Sequence, residues 1–414
     1  MLYVFIVTNI GGIGGQQIYL DCKVRHLRQR GWRVAVLSSF SGEPAIETLK
    51  EFYPAQNIGW LRHRYSTLTR RQRQRALMDI ERLTEPEGRV VIESYTCETA
   101  IWGEALAAHL AQRMEASHFC YLLTEYPPLP APGEAELLRL KRRQGLLRSI
   151  DAGCLHRMLP EVPDGEGFLF PPTIAAVNID DVPLPGCARS QSAHDMRLLT
   201  VGRLEKPYVI PMLREIKKFA AEMWSRSESV SLVIIGDVSG RQGRGKRLQR
   251  RLRRMLHEAP GLDVQWWGTV WPAPREAYRQ ADVFIGVSGA LQEAAREGVA
   301  CISLDSADCQ AIGIYGEQTS NSFSRSSGEP PIALSELLMD LRRQRDLRRE
   351  ARKDVRPRER RPDFHIHDLL ADNAVQSEYF PVDTLSPKGL KGMCLRLLNR
   401  VGLFPLIDFL KRCI

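Results

Sequence analysis

Apolar and polar positions alternate between two periods along the chain. Leu2–Thr8 (LYVFIVT) is a continuous β-branched and aromatic run, as in a strand covered on both faces, and it ends in Gly11-Gly12-Ile13-Gly14-Gly15. Leu20, Val24 and Leu27 then recur at helical spacing, and Gly31 suits the cap that closes the helix. Val34–Leu37 reads as the next strand. Arg62–Arg75 reads as a basic surface helix or loop, Val90–Ile92 as a short strand and Ala100–Met114 as a helix. Phe119–Leu123 reads as a strand that stops at Thr124-Glu125-Tyr126-Pro127-Pro128, with His118 just ahead of it.

Residues 160–186 are rich in Pro, Gly and Asp and show no period, which marks a connection. A second series follows. Arg197–Val201 is a strand running into Gly202-Arg203, Tyr208–Trp224 a helix, and Ser231–Ile235 a strand ending at Gly236-Asp237. A basic helix spans 246–257, then come strand Asp263–Trp267 with Gly268, a short helix at Pro274–Gln280 and strand Asp282–Val287. Ser288-Gly289 opens a helix over 290–297, and Ala300–Leu304 is a further strand. Strands alternating with helices predict an α/β fold of parallel, doubly wound sheets, in two copies. The expected domains are 1–180, 195–340 and a tail over 341–414.

Length agrees with that division, since 414 residues make two or three domains. No apolar run approaches the roughly 18 residues of a spanning helix, and no basic stretch precedes Leu2–Val7. The reading is cytoplasmic, with association at the inner face of a membrane through basic segments. Nine cysteines without CxxC spacing read as free thiols.

The net charge of +9 is local. Residues 241–254 hold eight basic and no acidic residues, and 341–361 hold eleven basic and four acidic, so the rest of the chain is at −6. Such patches meet phosphates. An anionic membrane surface fits them better than nucleic acid, because neither interleaved aromatics nor a nucleic-acid reading motif appears.

The glycine loop at Gly12, Gly14 and Gly15 sets backbone N–H groups at a helix start, which favours an anion or a close ligand. It is not a Walker loop, since Gln16-Gln17 follow Gly15. It is not a dinucleotide fingerprint either, since Gln17 stands at the third glycine and Ser38-Ser39 where a ribose-binding acid belongs. A tight turn without a ligand is the alternative.

Three strand ends in the second half carry polar or glycine residues, where open α/β sheets bind ligands. Gly202-Arg203-Leu204-Glu205-Lys206 puts two cations beyond one strand. Gly268 and Thr269 offer backbone groups at another. Ser288, Gly289 and Ala290 begin a helix, and Glu293 lies one turn inside it. Cations, a helix N-terminus and a carboxylate suit a nucleoside diphosphate.

These residues resemble the retaining GT-B glycosyltransferases of glycosyltransferase family 4. The resemblance rests on 199–206, Val233-Ile234-Ile235-Gly236-Asp237, Trp267-Gly268-Thr269, 281–286 and 288–299, and on the loop at 11–15. It covers roughly residues 1–320. It implies two Rossmann-like domains facing a cleft, with a nucleotide-sugar donor on the second and a glycan or lipid-linked acceptor on the first. It also implies metal-independent transfer without a cofactor. Arg203 and Lys206 match the pair that neutralises the leaving diphosphate. Glu293 matches the ribose-binding glutamate, and Gly289 and Ala290 the helix start at the distal phosphate. Glu125 is the expected first-domain group in the place of the family's histidine. Glu93-Ser94 and Ala100–Ala107 look like bacterial cell-surface polysaccharide enzymes.

The sequence also departs from the family. Ile285 stands where the partner of Glu293 belongs, eight positions before it, and Lys206 follows Arg203 sooner than usual. An inactive GT-B-like binding or scaffold protein, and a basic membrane- or nucleic-acid-binding module, therefore stay open as alternatives. Trp102 and Glu104, on one helix, read either as shaping the cleft or as a core residue and part of a solvated face. His365 and His367 have the same-side spacing of a strand, and two histidines alone make a poor metal site. The apolar positions of 388–414 suit packing on the first domain or lying on a bilayer.

Overall fold

The computed structural model describes the chain apart from residues 40–42, 54, 124–127, 151–152, 164, 170–178, 186–193, 239–243, 258, 326–328, 353–363, 386–388 and 401–414. Two compact units emerge, Met1–Pro171 with Asp363–Ile414, and Pro172–Pro362. The segment 341–414 is thus divided. Its first part stays with the second unit, and the rest returns to the first.

The first unit is built from β1 (Leu2–Val7), α1 (Gly15–Gln29), β2 (Arg33–Ser38), α2 (Glu47–Lys50), α3 (Arg70–Thr84), β3 (Val90–Ser94), α4 (Cys97–Leu110), β4 (Ala116–Leu122), α5 (Pro132–Arg143), β5 (Leu147–Ser149) and α6 (Cys154–Met158). Its sheet runs β2-β1-β3-β4-β5, with every pairing parallel. All six residues of β1 are buried, as its unbroken apolar run requires. Capping boxes start α3 at Thr69/Gln72 and α4 at Thr96/Thr99, satisfying N–H groups that have no helical acceptor.

The second unit comprises β6 (Ile179–Asp180), β7 (Met196–Val201), α7 (Val209–Ser225), β8 (Val230–Ile235), α8 (Arg244–His257), β9 (Leu262–Gly268), β10 (Ala273–Pro274), α9 (Arg275–Gln280), β11 (Val283–Gly286), α10 (Ser288–Arg296), β12 (Ala300–Leu304), β13 (Ala311–Ile314), α11 (Leu334–Arg343) and α12 (Arg345–Arg352). Its sheet runs β13-β12-β11-β7-β8-β9, parallel except for β13. Alternate residues of β7 face opposite layers. Leu198 packs with α7, α8 and α11, while Leu199 packs with α9 and α10.

The returning segment forms α13 (His365–Asp372) and α14 (Gly389–Arg400). The sheet-like reading of His365 and His367 is corrected here. Both lie on α13, where positions two apart do not share a face; His367 is buried and His365 exposed. α14 lies against Tyr65–Thr67, where the Asn399 side-chain amide donates to the Thr67 carbonyl at 3.0 Å. Positions 401–414 of the tail lie outside the described residues.

Candidate functional site

The strand order of the second unit places the candidate residues relative to one another. From β7 the chain moves one way to β8 and β9, then crosses back to β11 on the other side of β7. Loops leaving β7 and β11 therefore start on opposite sides of a topological switch point at the carboxyl ends, where open sheets receive ligands. Gly202 to Lys206 follow β7, and Ser288 to Glu293 follow β11.

Glycine is required along this edge. Gly202, Gly236 and Gly268 end β7, β8 and β9, all with positive φ. The Gly202 N–H donates to the Ile235 carbonyl at 2.9 Å, and the Gly236 N–H to the Gly268 carbonyl at 2.7 Å. A Cβ on Gly236 would sit 1.9 Å from the Gly202 carbonyl oxygen, so no side chain fits.

Arg203 is half-exposed, with its guanidinium 3.7 Å from the Glu205 carboxylate. Lys206 is half-buried, and burial lowers its ammonium to about 8. Thr269 is exposed one residue beyond Gly268. On the other side, β11 passes into α10 through Val287 alone. Ser288 takes φ 55°, a left-handed conformation rare outside glycine, and its N–H donates to the Ser322 carbonyl at 2.5 Å. No side chain caps α10, so the first-turn N–H groups of Gly289 and Ala290 have no intrahelical acceptor. Glu293 is buried beneath that turn, close enough to raise the Tyr278 phenol, whose burial is the larger cause. Ile285, eight positions earlier, is a fully buried strand residue.

The first unit has its own switch point, between β1 and β3. There Asn9 Oδ1 accepts from the Gly11 N–H at 2.7 Å, and the Gln17 amide donates to the Asn9 carbonyl at 2.9 Å, which shapes the glycine loop. Gly12 has φ 79°. Gly14 is extended ahead of α1, and no side chain caps that helix. Glu125 lies outside the described residues.

Sequence reasoning missed a buried polar chain behind this switch point. Glu104 belongs to no solvated face; it is fully buried, as is Trp102 beside it. His118 does not precede its strand but sits inside β4, also fully buried. Its Nδ1 contacts Glu104 Oε2 at 3.0 Å and its Nε2 the Ser94 hydroxyl at 2.8 Å. Lys141 pairs with the same carboxylate and donates to the His118 carbonyl at 3.1 Å. Glu104 Oε1 accepts from the Gln376 amide at 2.9 Å and the Phe380 N–H at 2.7 Å, which ties the returning segment to α4. Burial pushes Glu104 up, but His118 and Lys141 outweigh it and hold the carboxyl at about 2. Burial, with Lys141 nearby, lowers the His118 imidazole to about 4, so it is neutral at pH 7. A second cluster joins Glu93 to the hydroxyls of Tyr3 and Tyr19, with Lys23 buried above the Tyr3 and Phe364 rings. The signal for both clusters is an acid inside an otherwise apolar run, as in VVIES and AIWGEALAA.

Among the described residues no group of three His, Cys, Asp or Glu side chains could hold a metal ion. No helix among them is long and apolar enough to cross a membrane.

No family model matches the sequence, and no curated protein matches it. Solved structures do match the fold. A glycosyltransferase from Rickettsia africae aligns over 85% of this chain and 92% of its own, at 11% identity and a TM-score of 0.52. The N-terminal domain of a Candida albicans trehalose-6-phosphate phosphatase aligns over 86% and 92%, at 10% identity and a TM-score of 0.50. At such identities the likeness is one of fold. The chain has the GT-B fold of glycosyltransferases, with two Rossmann-like units each built on its own doubly wound sheet.

Proposed function

We propose that the protein is a retaining, metal-independent glycosyltransferase. It takes a nucleotide-sugar donor at the carboxyl edge of the second unit and passes the sugar to a glycan or lipid-linked acceptor. Its setting is bacterial cell-surface polysaccharide synthesis at the inner face of the membrane. One observation carries the reading: the Arg203–Lys206 cations and the uncapped start of α10 flank the same switch point. Arg203 and Lys206 would stabilise the charge that develops on the departing diphosphate, and fixed charges of this kind commonly supply most of the rate enhancement. The N–H groups of Gly289 and Ala290 would hold the distal phosphate at the positive end of the α10 dipole. The Glu293 carboxylate would accept from ribose hydroxyls. Glycosyl transfer is also the activity named for the Rickettsia africae structure.

Calorimetry with UDP, GDP, CDP and ADP tests this on the wild type and on Arg203→Ala and Glu293→Gln. One diphosphate should bind at micromolar affinity and be weakened by both substitutions. If none binds the folded protein, the donor site is refuted. Ile285 favours a second reading, a GT-B-like binding protein without transferase activity, because an apolar strand residue stands where an acid would meet the sugar. Product formation from the sugar nucleotide of the bound base separates the two.

A further inference from the structure

Helix α8 presents an unneutralised ridge of cations. Lys246, Arg247, Arg250, Arg251, Arg253 and Arg254 are all exposed. At 100° per residue they fill one arc of roughly 160°, about 12 Å long from first to last. Leu252 and Leu256 lie on the opposite side and are buried in the core. Among the described residues, none of these six has a carboxylate within ion-pair distance, and the Arg250 guanidinium turns back to the Lys246 carbonyl. Elsewhere in this unit several exposed cations are paired: Lys218 on α7 with Glu215, Arg226 at its end with Glu222, and Arg342 and Arg343 on α11 with Glu228 and Asp340. Repulsion among six cations on one short helix costs stability unless a counter-surface meets them.

We infer that α8 docks the protein on an anionic lipid bilayer. Two features favour a bilayer over nucleic acid. The ridge is the outward side of a helix whose apolar stripe is used on the core, so it offers a convex rod with charges on both flanks. Such a surface suits a plane of mobile headgroups better than a groove-bound strand. Trp224, at the end of α7, is 57% exposed, and its side chain lies over Gly261 just beyond α8. An indole there suits headgroup level, where tryptophan concentrates. Trp266, by contrast, is covered by the Arg253 guanidinium at 5.1 Å from its ring centre, which leaves that face unavailable for base stacking. Docking through α8 extends the lipid-linked reading of the acceptor, but vesicle binding needs no transfer activity.

The test is flotation of the full chain with phosphatidylcholine vesicles, with and without about 30% phosphatidylglycerol, near 0.1 M salt. Binding should require the anionic lipid and weaken as salt rises. Each cation near such a surface contributes about fivefold, so Arg247→Gln, Arg250→Gln and Arg254→Gln combined should lower partitioning about 100-fold. Trp224→Ala should lower it further at every salt concentration. All four positions are exposed, so the thermal midpoint should not fall, and relief of like-charge repulsion should raise it slightly in the triple variant. Equal binding to neutral vesicles, no loss in the triple variant, or capture of an oligonucleotide in place of vesicles would each overturn the inference. Calorimetry of nucleoside diphosphates on the triple variant keeps the two readings apart. Retained nucleotide binding with lost vesicle binding isolates α8. Vesicle binding by a protein that takes no nucleotide leaves α8 standing while the donor site falls.

Discussion

Glu104→Gln should destabilise the first unit by about 3–5 kcal/mol, the range for removing one partner of a buried ion pair. The carboxylate has four donors. Gln376 and the Phe380 N–H reach Oε1, while His118 and Lys141 reach Oε2. A glutamine keeps an acceptor for the first pair but turns an amide NH₂ toward the second. His118 can adjust by moving its proton to Nε2 and donating to Ser94. Lys141 cannot adjust in that way: it is fully buried, and burial already lowers its ammonium. It must deprotonate or stay charged without a counterion, and either course is costly. Urea unfolding followed at Trp102, which lies in the same helix and is buried, reads the loss. Adding Lys141→Met should recover part of it, because the stranded cation goes while the groups facing position 104 remain. Proteolysis should cut near residues 374–385 sooner in the single variant, since Glu104 holds that segment. A loss below about 1 kcal/mol, or no recovery in the double variant, would refute the claim that this carboxylate is the anchor.

Acidification should weaken the first unit in two overlapping steps. His118 is held near 4 against 6.5 when unfolded, and Glu104 near 2 against 4.5. In both windows the unfolded chain binds more protons, so the stability is present above pH 6.5 and is lost as pH falls toward 4 and then 2; urea midpoints across that range check it. Gly103→Ala should cost about 1–3 kcal/mol by overpacking, because the new Cβ would lie 2.4 Å from His118 Nε2; the thermal midpoint reports it. Gly236→Ala should abolish nucleotide binding by forcing β7 and β8 apart at the candidate site, given the 1.9 Å approach to Gly202; calorimetry beside circular dichroism separates this from global unfolding. Diphosphate affinity should fall about tenfold per pH unit above 8 if the Lys206 ammonium, lowered to about 8, meets the phosphates; Lys206→Met should bind weakly and lose that dependence.

The architecture was legible because both sheets are nearly all parallel. Strands covered on two faces must be continuous apolar runs, and LYVFIVT and SLVII stand out from their helical neighbours for that reason. What escaped notice is short, antiparallel or polar inside. β5 has three residues, and β13 is an antiparallel pair-strand containing Gly313. The first half of β4 is hidden by Ser117-His118, a polar pair that period alone places in a loop. It enters the sheet because Glu104, Lys141 and Gln376 supply its partners, the last of them 258 residues away in sequence. Glu104 illustrates the same limit. On a helix wheel an acid marks a solvent face, and only the tertiary partners His118, Lys141 and residues 376–380 show that this face is covered.

The residues proposed for the donor site rest on a different kind of signal: most are singled out by backbone position at a strand or helix end. Gly202, Gly236 and Gly268 are dictated by positive φ or by close approach, and those demands are local to a strand end. Arg203 and Lys206 need only follow such an end to lie at the switch point. The turn into α10 is where local reading and chemistry separate. β11 enters the helix through Val287, and Ser288 bears a conformation that glycine would adopt freely. A connection this tight leaves no loop to carry an acid toward a donor sugar, and Ile285 belongs to the strand core. If the protein transfers sugar, the group that orients it must come from outside this turn. Inserting residues between Val287 and Ser288 to carry a glutamate should then gain nothing in turnover. A gain would refute this argument, because it would show that the turn into α10 is where the missing acid is needed.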